Sequence, residues 1–189
     1  MPGKKLDARV RYTKMMIKNS IIEIMKAKPV AKITVTEICE RAGINRATFY
    51  AHYSDPTDVL QSIESELIDD ISNRTRPAIA AMGTDLRDSL MGIVEYIKEN
   101  ADICRVLLSG SVDTSFQNKV VDMVEKQFIE HWRSFSSTSM EDAKYIFTFI
   151  AIGSVGVIRK WLDEDARKPS EEIAEIIIKI SSAGFLSFS

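Results

Sequence analysis

The amino-acid sequence predicts an all-α chain of two domains. Apolar residues recur at helical spacing along most of the 189 residues, and no segment shows the alternation that is typical of strands. Short segments rich in Gly, Pro and Ser separate the helical stretches. We expect a three-helix N-terminal domain over residues 1–55 and a helical bundle over residues 56–189.

The first two helices are predicted from their end signals. A helix over residues 7–25 has an apolar stripe and stops before Lys28 and Pro29. Thr34 and Glu37 then have the spacing of a capping box, in which each side chain bonds a backbone N–H at the other residue. A second short helix therefore begins after Thr34.

The third predicted helix carries an unusual number of polar side chains of the kind that is usually exposed. It follows a left-handed stop at Gly43, has Asn45 as its N-cap and extends to Tyr53. Phe49 and Tyr53 lie four residues apart and form its buried face. The remaining positions can face bases or phosphates, and they are Asn45, Arg46, Ala47, Thr48, Tyr50 and His52. Two short helices around a tight turn, with this second helix, indicate a helix-turn-helix DNA-binding domain.

Each candidate contact has an alternative. The planar donors of Arg46 suit the two major-groove acceptors of guanine, but a phosphate contact is equally open. Thr48 suits a thymine methyl group or a phosphate, and Tyr50 faces outward unless it packs as a half-buried residue. His52 is expected to bond a phosphate, because His131 is the only other histidine and no metal-ligand cluster accompanies either.

Charge content favours a polyanionic partner for the first segment, and cysteine content favours a cytoplasmic protein. Residues 1–55 hold 11 Lys/Arg against 5 Asp/Glu, whereas residues 56–189 hold 14 against 22, so a basic arm precedes an acidic body. Cys39 and Cys104 show no metal-ligand spacing, and the start of the chain has no apolar leader, which favours a cytoplasmic protein. The longest uncharged run, Tyr145–Ile158, is too short to span a bilayer and predicts a buried helix instead.

The fourth helix begins with Asp55 as its cap and Pro56 as its first residue, and we expect it to end near Pro77. Its apolar stripe is Leu60, Ile63, Leu67 and Ile71. Its carboxylates are expected on the solvated face, and they are Glu64, Glu66, Asp69 and Asp70. Five further helices are expected over residues 85–99, 101–108, 114–135, 140–165 and 171–185.

The last two long helices predict a homodimer. The helix over residues 140–165 is apolar nearly all round, and the helix over 171–185 is similar, so both need more cover than one chain offers. A second copy is the economical cover, in a four-helix packing. Aromatic and Met residues of the body can line an effector pocket or belong to an ordinary core, and they are Met91, Tyr96, Phe128, Trp132 and Phe147.

These residues resemble a known family. The run from Ile33 to Tyr53, ITVTEICERAGINRATFYAHY, is similar to the DNA-binding signature of TetR/AcrR-type transcriptional regulators, and DARVRYTKMMI before it is similar to the family's first helix. Runs at 96–100, 107–109 and 156–162 resemble the C-terminal region of a subgroup that includes activators of dihydroxyacetone kinase operons.

The resemblance implies a homodimer with two reader domains and a helical, ligand-sensing body. By position, Thr36 would contact phosphate, Arg46, Ala47 and Thr48 would face bases, and Tyr50 and His52 would anchor the DNA backbone. The family usually has a Lys where this chain has Pro56, followed by Asp58, so a phosphate contact is missing there. Binding would then depend more on the basic first helix, with Lys4, Lys5, Arg9, Arg11 and Lys14 as candidates.

We therefore expect a transcriptional regulator, and a repressor that leaves a palindromic operator when a small-molecule effector binds. The alternative is an activator controlled by a partner protein, and a third reading is a helical enzyme or interaction module. The sequence has no Gly-rich phosphate loop, nucleophile elbow or zinc motif, so we expect no enzyme, no cofactor and no catalytic or metal site.

Overall fold

The computed structural model of the protein describes residues 3–80, 86–109, 115–132 and 139–186. The helices are α1 (Gly3–Met25), a 3₁₀ turn (Val30–Lys32), α2 (Val35–Ala42), α3 (Arg46–Tyr50), α4 (Pro56–Ala80), α5 (Leu86–Glu99), α6 (Ala101–Leu108), α7 (Ser115–Trp132), α8 (Met140–Asp163) and α9 (Ser170–Leu186). No strand occurs within these ranges, so the all-α fold class is confirmed.

The chain forms two compact units, residues 1–67 and residues 68–189. The first unit includes the start of α4, because Val59 and Leu60 are buried and Glu66 forms an ion pair with Lys18 of α1. Its core also holds the stripe of α1 and the inner faces of α2 and α3. The sequence predicts a domain boundary at residue 55, and that boundary stays a prediction.

α4 begins as predicted but ends later. The Asp55 carboxylate accepts a hydrogen bond from the Asp58 backbone N–H at 2.9 Å, and Pro56 is the first helical residue. The expected end near Pro77 is wrong, because the helix continues through this proline to Ala80. A proline removes one helical hydrogen bond. Two residues before this proline, the hydroxyl of the buried Thr75 donates to the Gln127 side chain of α7 at 2.7 Å, which ties this part of α4 to α7.

The carboxylates of α4 do not all face solvent. Glu64 is buried, contrary to the prediction, because it lies four residues after Leu60 and three before Leu67, on the apolar stripe itself. Asp70 is exposed, but it accepts a hydrogen bond from the Tyr96 hydroxyl of α5 at 2.7 Å. Some of the α4 carboxylates therefore take part in packing and hydrogen bonding within the protein.

The core of the second unit joins α5, α6, α8 and α9. Its largest cluster includes Val94, Cys104, Trp161, Leu162 and Ala174, all of them buried. The Trp161 indole N–H donates to the Lys168 carbonyl at 3.0 Å, and the Arg105 guanidinium donates twice to the Leu162 carbonyl, at 3.0 and 2.8 Å. These bonds satisfy backbone groups at and after the C-terminal end of α8, which the helix itself leaves unpaired.

Within this chain α8 is buried on one side only, in line with the expectation that one chain does not cover it. It packs against α6, α7 and α9. Its other side leaves Tyr145 and Phe149 71% and 74% exposed. Of the helices that the structure describes, α8 is also the one whose length and hydropathy would allow it to cross a membrane, a test that core helices of soluble proteins pass as well.

Two glycine substitutions test the backbone of this fold. Gly43 has φ +65°, where a Cβ costs about 1–2 kcal/mol, although nothing lies within 4 Å of the position of that Cβ. Gly92 lies within α5, and its added Cβ would also meet nothing within 4 Å. We expect Gly43→Ala to lower the free energy of unfolding by about 1–2 kcal/mol, and Gly92→Ala to raise it by about 0.5–1 kcal/mol. Urea unfolding followed by circular dichroism measures both, and equal stability of Gly43→Ala and the parent would contradict the strained turn.

Candidate nucleic-acid interface

A capping box fixes the start of α2, as the sequence predicts. The Thr34 backbone N–H donates to the Glu37 carboxylate at 2.9 Å, and the Glu37 backbone N–H donates to the Thr34 hydroxyl at 3.3 Å. The hydrogen bond from Lys28 and the bonds from Thr34 lower the pKa of Glu37 to about 2. The carboxylate thus stays ionised at neutral pH and holds the first turn of the helix.

The turn between α2 and α3 is built from Gly43 and Asn45. Gly43 is left-handed, and the Ile44 N–H then donates back to the Cys39 carbonyl at 3.1 Å. The Asn45 side-chain oxygen accepts from the Thr48 backbone N–H at 2.8 Å and from the Thr48 hydroxyl at 3.0 Å. The chain therefore changes direction within three residues, and Asn45 caps the N-terminus of α3 through its hydrogen bonds with Thr48.

α3 is shorter than predicted. It ends at Tyr50 rather than Tyr53, because the His52 N–H bonds the Phe49 carbonyl three residues back, which closes the helix as a tight turn. The Asp58 side chain then accepts from the Ser54 backbone N–H at 2.8 Å and holds the chain that leads into α4. This use of Asp58 was not foreseen, and the serine four residues before it was the available signal.

The exposure of the α3 side chains agrees with the predicted inner and outer faces. Phe49 is fully buried and Tyr53 nearly so, whereas Tyr50 is 57% exposed and touches Phe49 edge-on at a centroid distance of 5.6 Å. Arg46 and Ala47 are exposed. One surface of the first unit thus presents a guanidinium and a phenol beside the turn.

The structure brings several predicted contact residues together. The Arg46 guanidinium donates a hydrogen bond to the Thr36 hydroxyl of α2, so the two are neighbours across the helix-turn-helix. The exposed Lys14 of α1 has its Nζ 5.9 Å from the ring centroid of Tyr53, which adjoins α3. Thr36, Thr48 and His52 are half-buried, Asn45, Arg9 and Arg11 are exposed, and the side chains of Lys4 and Lys5 lie outside the described set.

The second unit contains a cavity of about 240 Å³ between α4, α5, α6, α7, α8 and α9. Its described lining is mostly aliphatic, with three phenylalanines and a few Thr, Ser and Cys residues, and none of these described lining residues is Asp, Glu, Lys, Arg or His. Of the aromatic and Met residues considered from the sequence, Phe128 and Phe147 line it, whereas Met91 and Tyr96 do not, and the Trp132 side chain lies outside the described set. The cavity was missed because its lining has the same residue types as a packed core.

The chain is similar in sequence to known transcriptional regulators. A family model described as "Transcriptional regulator C-terminal region" matches residues 84–183. The HTH-type transcriptional regulator YxbF of Bacillus subtilis is 19% identical over 88% of this chain, which spans only 44% of that protein. An HTH-type transcriptional regulator of Haemophilus influenzae is 21% identical over 84% of this chain and 79% of its own length.

Solved structures share the fold. A TetR transcriptional regulator from Streptococcus agalactiae matches with a TM-score of 0.64 at 20% identity, covering 94% of this chain and 98% of that one. The dihydroxyacetone kinase operon activator DhaS matches with a TM-score of 0.62 at 17% identity, again over 94% and 98%. FadR from Bacillus subtilis, solved with stearoyl-CoA, matches with a TM-score of 0.65 at 14% identity over 90% and 98%.

The hydrogen bond from Lys28 to Glu37, together with the capping box, makes the stability of the first unit depend on pH. Because the pKa of Glu37 falls from 4.5 to about 2 on folding, its contribution is complete above pH 4.5 and is lost as the pH falls towards 2. We expect the difference in melting temperature between the parent and Glu37→Gln to be constant at neutral pH and to shrink between pH 4.5 and 2. Glu40→Gln, an exposed position of the same helix, is the control, and a difference for Glu37→Gln that does not change with pH would contradict the pairing of the ionised Glu37 with Lys28.

Proposed function

Because this chain belongs to the TetR family of transcriptional regulators, we propose that it is a homodimeric repressor that leaves a palindromic operator when a small molecule binds its helical body. It is a regulator rather than an enzyme. The proposed site of action is the cytoplasm. The DNA contacts, the dimer and the effector are the three parts of the proposal.

The arrangement of α2 and α3 carries the proposal. The exposed Arg46 and Tyr50 occupy the outer face of α3, and Arg46 is joined to Thr36 at the start of α2. A helix of this kind enters the major groove with its N-terminal residues at the base edges. The basic charge of residues 1–55 supplies attraction to phosphates, and the Lys14 ammonium lies over the ring of Tyr53, just after α3.

The cavity of the second unit supports control by a small molecule. FadR, a structural neighbour, was solved in complex with stearoyl-CoA, so a protein of this fold can hold a small-molecule ligand. In this chain Ile71, Thr75 and Ile79 of α4 line the cavity, and the same helix begins in the first unit. We propose that ligand contacts along α4 favour a conformation that no longer fits the operator, which is a shift between two populations.

An uncovered apolar face supports the homodimer. Tyr145, Phe149 and Ile152 lie on one side of α8, and Ile176 and Ile180 lie on one side of α9, all of them exposed in the single chain. Isolated apolar side chains on a surface need no explanation, but a face of two packed helices does. A second copy placed over it by a two-fold axis would pair two reader units and require a palindromic operator.

An activator controlled by a partner protein is the alternative. DhaS, an operon activator by its description, shares the fold. The two readings differ in one experiment, in which a reporter gene follows the selected operator in cells. Loss of expression with the protein present supports repression, and a gain supports activation.

Base and phosphate contacts are tested on a duplex selected from random DNA by the purified protein. We expect Arg46→Ala to weaken binding by about 1–3 kcal/mol per half-site, the value of one bidentate base contact, and to relax the consensus at one position of each half-site. Tyr50→Ala should weaken binding on all sequences. Fluorescence anisotropy measures both, with Arg41→Ala, an exposed position of α2, as the control.

Lys14→Ala has a different signature. Because the variant would leave one phosphate per protomer without its lysine, we expect the slope of log K against log salt to fall by about 0.9 in magnitude for each such phosphate, without a change of consensus. Unchanged affinity of Arg46→Ala, or unchanged slope of Lys14→Ala, would contradict the assigned role of that residue.

The dimer is tested by a charge on its proposed face. We expect Phe149→Glu to shift the protein from dimer to monomer, because a buried unpaired carboxylate is costly. Tyr12→Glu, at an aromatic of α1 that is 61% exposed, is the control and should stay dimeric. Analytical ultracentrifugation reads both, and a dimeric Phe149→Glu would contradict the assigned interface.

A further inference from the structure

The cavity in the second unit restricts the chemistry of its ligand. Among the residues that the structure describes, the Cys104 thiol is the one ionisable group in its lining, and burial raises the pKa of that thiol to about 12, so this lining is uncharged at neutral pH. A charged group inside would have no partner, which is far too costly for binding. The part of the ligand that enters the cavity is therefore uncharged.

The lining also has few free hydrogen-bond donors. The Thr75 hydroxyl donates to the Gln127 side chain at 2.7 Å, and the Ser154 hydroxyl donates to the Ile150 carbonyl at 2.7 Å. Both protons are used inside the protein, and the remaining hydroxyl is that of Ser181. A ligand rich in acceptors would lose bonds to water without replacement. The cavity thus selects for hydrocarbon.

The shape of the cavity favours a chain over a ring system. Its lining extends from Phe116 to Phe128 on α7 and from Phe147 to Ile158 on α8, roughly 16–18 Å along each helix. Its volume of about 240 Å³ lies below the usual range of drug-sized pockets. Phe128 and Phe147 stack on each other at 5.1 Å, so one face of each ring is already used.

We propose that this cavity binds a linear, uncharged hydrocarbon chain of an amphiphile, with its polar head group outside the lining. The proposal rests on the proposed function for its role as an effector site, but the binding itself is independent of DNA. The chain would lie along α4, α7 and α8, where Ile71, Val121 and Val155 supply aliphatic contacts.

A series of normal alcohols from octanol to tetradecanol tests the chain. Burial of each methylene group contributes about 0.8 kcal/mol, so affinity measured by equilibrium dialysis should rise about three- to fourfold per added carbon until the cavity is full, and then level off. Acenaphthenol has the same twelve carbons and one hydroxyl as dodecanol, but in a planar ring system, and it should bind at least tenfold more weakly. Equal affinity for these two compounds, or affinity independent of chain length, would overturn the proposal.

A pair of identical substitutions locates the binding. Val121 and Val157 are both half-buried, but only Val121 lines the cavity. Val121→Phe should reduce dodecanol affinity at least tenfold, and Val157→Phe should leave it within twofold of the parent, with circular dichroism confirming that both are folded. Loss of affinity in Val157→Phe alone would overturn the location, and the chain-length series on the parent protein does not depend on either variant.

Operator release is measured separately, so that the two proposals can fail independently. Alcohols that bind with the expected chain dependence but leave DNA binding unchanged would support the ligand class and overturn ligand-controlled release. Release by acenaphthenol, without measurable alcohol binding, would overturn the ligand class and leave release by a small molecule standing.

Discussion

The turn between α2 and α3 is the constraint on which the DNA-facing surface depends. Gly43 takes a left-handed conformation that other residues adopt only with strain, and Asn45 closes the next helix by bonding Thr48. With both ends of the turn fixed, α3 can bury Phe49 completely while Arg46 and Tyr50 face outward. A helix of five residues has little stability of its own, so this surface exists because the turn and the buried ring hold it.

The second unit has the opposite character, since it carries more apolar surface than one chain covers. Some of this surface surrounds a cavity of about 240 Å³, and some forms the exposed face that includes Phe149. A packed interior leaves few voids larger than a water molecule, so both features are costly unless something fills them. We propose that a ligand fills the cavity and that a second copy of the chain covers the exposed face.

The sequence was sufficient wherever a local signal decides the structure. The capping box at Thr34, the stop at Gly43 and the start of α4 at Pro56 are all confirmed, since each depends on residues within four positions. Predictions were wrong at Pro77, which α4 passes through, and at Glu64, which is buried on the apolar stripe. The cavity could not be located from the sequence, because lining and core use the same residue types.

In the proposed complex, the two α3 helices of a dimer enter successive major grooves on one face of the same duplex. Hydroxyl-radical footprinting of the bound protein on a selected duplex, combined with the stoichiometry of the complex, tests it most directly. We expect two protected segments related by a two-fold axis, their centres about one helical turn or a multiple of it apart, with two protomers bound. A single protected segment with one protomer, or uniform protection without symmetry, would contradict a dimeric reader built on α3.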